Sequence, residues 1–203
     1  MRNLSAIVAF LGVVSTAQAT TIFTTFGPGH TFISGGNFLI GSFNPTDNTR
    51  QEIAASFTPG STLFLDSILI AAQNLGGTNQ LTVYLAAGAV EPGSAIETFS
   101  LTGIPGTATL LTLNSASRPL LSAGTKYWVV LSAADLTNTY DGWNQSFTLG
   151  GFAGRTGGSG AWSAASSNLP AFEVNASIPE PSTMLLLGSA LSVLFAVKHR
   201  LIG

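Results

Sequence analysis

Between residues 20 and 178 no segment keeps apolar side chains at helical spacing, and this constrains the fold more than any other feature. Short β-prone runs recur instead, at 22–26, 37–43, 52–58, 63–71, 80–86, 95–101, 107–113, 126–132, 145–151 and 172–176. Several alternate: Leu81, Val83 and Leu85 share one face of their run. The breaks carry turn chemistry, at Asn44-Pro45, Pro59-Gly60, Gly76-Gly77, Pro92-Gly93, Pro105-Gly106, Ala123-Gly124 and Asp141-Gly142. Many short strands spaced about ten residues apart predict an all-β protein, an antiparallel jelly-roll-like β-sandwich. Two runs, 63–71 and 127–131, are apolar on both faces, as central strands with a covered outer face would be. The Gly- and Ser-rich stretch 153–168, with Trp162 embedded, reads as a long loop.

Both ends of the chain are apolar. Arg2 precedes an uncharged run over 4–14, and Ala17-Gln18-Ala19 has the small-x-small spacing of a signal-peptidase site. Residues 1–19 therefore read as a signal peptide cleaved after Ala19. At the other end, Pro179-Glu180-Pro181 cannot sit inside a helix, because proline lacks the backbone donor and restricts the residue before it. An uncharged run over 183–197 follows, then Lys198-His199-Arg200, which the positive-inside rule keeps in the cytoplasm. Residues 181–197 are at the lower limit for crossing a hydrocarbon core of about 30 Å. The expectation is a single C-terminal transmembrane helix, about 182–197, acting as a temporary anchor. The organisation is then 1–19 signal peptide, 20–178 β-sandwich domain, and 179–203 motif, helix and basic tail.

This order of motif, apolar segment and basic cluster closely resembles the PEP-CTERM sorting signal of Gram-negative bacteria that make extracellular polysaccharide. The resemblance implies that a membrane protease-transpeptidase of the exosortase type recognises Pro179, Glu180 and Pro181 and releases or transfers the protein. A second resemblance runs through Ala55-Ser56-Phe57-Thr58-Pro59-Gly60, Leu65-Asp66-Ser67-Ile68, Leu81 to Leu85, Pro92-Gly93-Ser94, Leu120 to Leu131, Trp143 and Ala171-Phe172. Together these look like the exported choice-of-anchor domains, type R, which precede interchangeable surface-sorting signals. That likeness implies a β-sandwich at the cell surface and brings no catalytic residues. The implied route is export, an inner-membrane intermediate held transiently by the C-terminal helix, then the cell surface or an extracellular matrix. Extracellular polysaccharide is the implied associate.

Composition narrows the chemistry. Between residues 20 and 180, four cations (Arg50, Arg118, Lys126, Arg155) face nine acids, a net charge of −5 with no basic stripe, which argues against nucleic acid as a partner. Cysteine is absent, so the fold must stand on its core alone. His30 is the one histidine of this region, so no histidine cluster can hold zinc, and no nucleophile elbow, P-loop or dinucleotide fingerprint occurs. The expectation is a non-enzymatic protein with no catalytic set, cofactor or metal. Three weaker candidates remain. Trp143, with Tyr140, Asp141, Asn144 and Gln145 nearby, could stack on a sugar and bond its hydroxyls, in a carbohydrate-binding module of exposed aromatics; Trp128, Trp162 and Phe147 are further rings of this kind. Glu91 and Glu97 flank one turn and could approach as a glycosidase pair. Asp47 with Asn44 and Asn48 offers oxygen ligands to calcium.

Overall fold

The computed structural model describes residues 18–41, 51–133, 138–156 and 160–178. Apart from one 3-10 turn at Pro28–His30, the regular structure among them is strand. In chain order the strands are β1 (Thr20–Thr24), β2 (Ile33–Gly41), β3 (Gln51–Phe57), β4 (Leu63–Gly77), β5 (Gln80–Ala87), β6 (Ala95–Thr102), β7 (Thr109–Asn114), β8 (Leu120–Leu121), β9 (Tyr127–Ala133), β10 (Thr139–Thr156), β11 (Ser163–Pro170) and β12 (Phe172–Ser177). The paired strands run antiparallel.

The strands hydrogen-bond as one open sheet in the order β1-β12-β4-β10-β2-β3-β9-β5-β6, with β11 beside β10, and β7 and β8 beside β4. The long β10 joins its two arms. Its first part lies between β2 and β4, with Trp143 opposite Phe38 on one side and Ala72 on the other. Its last part pairs with β3, Phe152 opposite Ala55, and with β11, Phe152 opposite Ala165. The arms then fold over a common core. Phe23 of β1 comes within 5.9 Å of Phe57 of β3, although these strands are not neighbours in the sheet. The result is sandwich-like, but continuous through β10 where two separate sheets were expected.

Strand alternation builds the core. Leu81, Val83 and Leu85 point inward from β5, as do Ile53, Ala55 and Phe57 from β3 and Phe172 and Val174 from β12. The two runs apolar on both faces do have covered outer faces. Behind β9, Trp128 and Val130 pack with Ala54, Ala153, Tyr84 and Trp162. Behind β4, Leu69 and Ala71 pack with Phe26, Phe32 and Ala171.

Three sequence expectations need correction. The stretch 153–168 is not a long loop: β10 continues to Thr156 and β11 occupies Ser163–Pro170. Its Ser and Ala residues lack the apolar alternation of a core strand because most of β11 is exposed and held through its backbone. Asp141-Gly142 is the interior of β10 rather than a turn, and the glycine is needed because a Cβ there would stand 3.0 Å from the Asn37 side chain. Gly76-Gly77 forms the end of β4, which runs on to Gly77 instead of stopping near residue 71; Gly77 has φ +73°, and a Cβ on it would strike the Asn138 carbonyl.

Among the described residues no helix is long and apolar enough to cross a membrane. Residues 1–17 and the segment about 182–197 lie outside the described residues.

Phe172 is fully buried, with its ring 5.2 Å from that of Phe23 and 6.0 Å from that of Trp143. Truncation to Phe172→Ala should lower unfolding stability by about 3–5 kcal/mol in a denaturant titration. A loss under about 1 kcal/mol would mean that β12 is not part of the core.

Candidate functional site

The place where the chain leaves the sheet is built with unusual care. β12 lies between β1 and β4: Ala176 pairs with Thr20 on one side and Leu65 on the other, and Ser177 pairs with Phe64. Alternation turns Phe172, Val174 and Ala176 toward the core, while Glu173 and Asn175 serve the outer face. There Glu173 meets His30 Nε2 at 3.2 Å and accepts from Asn175 Nδ2 at 3.1 Å.

At the last residue of the strand, three side chains close on one another. Arg118 donates to Ser177 Oγ at 2.6 Å and to Asp66 Oδ1 at 2.8 Å, and the Ser177 hydroxyl donates to Asp66 Oδ1 at 3.1 Å. The guanidinium also lies 5.9 Å from the Phe64 ring centroid. Arg118 reaches this position from a residue with φ +45°, after a turn whose Ser115 N–H bonds the Asp66 carbonyl and whose Ser115 hydroxyl accepts the Arg118 N–H. Glu97 of β6 secures the same turn by accepting from the Ser115 hydroxyl and from the Ala116 and Ser117 N–H groups. Beyond Ser177, Ile178 is exposed, and Leu120, paired with Phe64, is partly so.

The comparisons bear on this same end. The PEP-CTERM protein-sorting motif matches residues 177–200, beginning at the last residue of β12. No curated protein matches the chain. The motif implies an exported protein that transits the membrane of a Gram-negative bacterium and is processed by an exosortase. Pro179, Glu180 and Pro181 themselves lie outside the described residues, as does Ala17; Ala19 is exposed just ahead of β1.

The other predicted site residues fall elsewhere. Trp143 is fully buried, edge-on to Phe172, and donates its Nε1–H to the Ala171 carbonyl at 3.0 Å. It offers no ring face to a sugar, which corrects the exposed platform expected around it. The cause is register: Trp143 lies on the inner face of β10, opposite Phe38 and Ala72. Asn144 is buried too, donating to Asn37 Oδ1 at 2.7 Å and to the Ser34 carbonyl at 3.2 Å, and Tyr140 is half-buried. Trp128 is buried, with Nε1 on the Gly88 carbonyl and Lys126 above its ring. Trp162 is half-buried beneath Arg155, whose guanidinium lies 4.5 Å from its centroid and is ion-paired with the buried Glu52. Phe147 is exposed.

Glu91 sits exposed in the β5–β6 turn. For Glu97, partial burial pushes the carboxyl pKa up, but the bonds from Ser115, Ser117 and Ala116 outweigh it and hold the pKa below the ordinary value, the opposite of what a general acid needs. Asn44, Asp47 and Asn48 lie outside the described residues, and the described residues contain no group of three potential metal ligands. Sequence reasoning missed Asp66, Arg118 and Ser177 as a set, since 52 and 59 residues separate Arg118 from its two partners.

Asp141 is fully buried, with Oδ1 accepting from Asn74 Nδ2 at 2.9 Å and Oδ2 without a partner. Burial raises its pKa to about 6, against the lowering effect of the Asn74 bond. The folded state therefore holds this proton more tightly than the unfolded chain, whose value is 3.8. Its stability is undiminished below about pH 4 and falls as pH rises to about 6, by on the order of 3 kcal/mol. Asp141→Asn should remove this fall, so that the variant gains on the wild type between pH 4.5 and 7.5 in thermal unfolding. Parallel pH profiles would show that the buried carboxyl does not titrate in this way.

Proposed function

We propose that the protein is an exported, non-enzymatic protein of the cell surface or extracellular matrix, and that its β domain resembles the choice-of-anchor type. A signal peptide over 1–19 directs export and is removed after Ala19. The apolar segment about 182–197 then holds residues 20–178 at the inner membrane until an exosortase-type enzyme cuts at or near Pro179-Glu180-Pro181. The released or transferred domain associates with extracellular polysaccharide. One observation carries this reading: the sorting-motif match begins where the last core strand ends, so the tail can be removed without taking any of β12 with it.

Two further features support it. The region has no cysteine, so it can fold outside the cytoplasm without an oxidant. Its surface relies on Ser, Thr and Asn more than on charge, as suits a protein embedded in a hydrated polymer.

Intact mass of the secreted protein, from cells with and without the sorting protease, tests the proposal. With the protease, the mature mass should correspond to a chain beginning at Thr20 and lacking Leu185 to Gly203; without it, the C-terminal segment should remain. An identical mass from both cells, retaining Leu185 to Gly203, would contradict it.

A further inference from the structure

We propose that Asp66, Arg118 and Ser177 form a clamp that governs how readily the sorting motif is cut, an inference that rests on the sorting reading above. Pro179 follows Ser177 by two residues, a span of at most about 7 Å even when fully extended. Ser177 is buried, lies opposite Phe64 in the β12–β4 ladder, and bonds through its hydroxyl to Asp66 and Arg118. Enzymes that cut peptide chains bind several residues as an extended strand on each side of the target. With Ser177 held in the sheet, only Ile178 precedes the motif as accessible chain.

Ala176 is flanked on both sides, by Thr20 and Leu65, so the strand is closed in up to that residue, whereas Ser177 pairs with Phe64 of β4 and is held further by the Asp66 and Arg118 side chains. Release of the terminal residues therefore means opening the clamp first. That opening is a local event of low cost, since the Arg118 side chain is 51% exposed and an ion pair so placed contributes little. The clamp sets the fraction of time in which Ser177 and Ile178 are available, while Phe172 and Val174 keep the rest of the strand in the core. The same residues explain how the fold survives processing, because the new C-terminus is pinned at the strand end.

Pulse-chase measurement of processing in cells that express the full chain tests this. Insertion of Gly-Ser-Gly-Ser between Ile178 and Pro179 should shorten the processing half-time several-fold. Arg118→Ala should shorten it as well, and the combined variant should be no faster than the insertion alone, because both relieve the same restriction. A merely stabilising role for Arg118 would leave its effect undiminished in the presence of the spacer. An insertion that leaves the half-time unchanged or lengthens it would overturn the clamp, as would effects that multiply in the combined variant. Replacement of Pro179, Glu180 and Pro181 by alanine should block processing in every background; continued processing of that chain would overturn the sorting reading itself, independently of the spacer result.

Discussion

The placement of the last strand, β12, between the first strand and β4 is the constraint on which this domain depends. Phe172 and Val174 of β12 bring the Trp143, Phe23 and β4 side chains into one core, and the Ala171 carbonyl receives the indole N–H of Trp143. The residues at the junction with β11 are equally engaged. Thr25 donates its hydroxyl to the Pro170 carbonyl at 2.7 Å and accepts the Phe172 N–H at 2.9 Å, so the residue after β1 is bonded to the start of β12 through side chain and backbone alike. Pairing of terminal strands is costly in loop-closure entropy and slow to form, since nearly the whole domain separates the partners.

A domain with few charges and no disulfides must prevent its sheet faces from acting as sticky surfaces. The outer faces behind β9 and β4 are covered from within the chain. Trp162 lies over the first, with Arg155 stacked on its ring and paired to the buried Glu52. The segment carrying Phe26, His30 and Phe32 covers the second, with His30 on Glu173 and edge-on to Phe26 at 5.6 Å. In both cases an ionisable pair holds an apolar flap in place. Such pairs contribute little net stability, although leaving Glu52 unpaired would be costly at that depth.

Much of the architecture was legible in the sequence because alternation and turn chemistry are local signals. Leu81, Val83 and Leu85 face inward as their spacing implies, and Pro59-Gly60, Pro92-Gly93, Pro105-Gly106 and Ala123-Gly124 do lie between strands. What the sequence concealed depends on neighbours distant in the chain. Gly142 resembles a turn residue until Asn37 is seen across the ladder, and β11 resembles a linker because its contribution is backbone pairing. Trp143 beside Asp141 and Asn144 has the composition of a sugar site, and only register shows the ring turned inward. The sorting end divides in the same way. Pro179-Glu180-Pro181 is a contiguous motif and could be read directly, whereas the hold on Ser177 joins residues from β4, from a turn before β8 and from β12.

A chain whose sorting signal starts where its last core strand stops must keep that strand formed through Ala176. Native-state hydrogen exchange on the folded protein measures this most directly, by comparing the amides of residues 172–177 with those of the fully buried β9. The amides of Phe172 to Ala176 should exchange only through global unfolding, as slowly as those of β9, with faster local opening confined to Ser177 and the residues beyond it. Rapid exchange across 174–176 at a free energy well below that of global unfolding would contradict this.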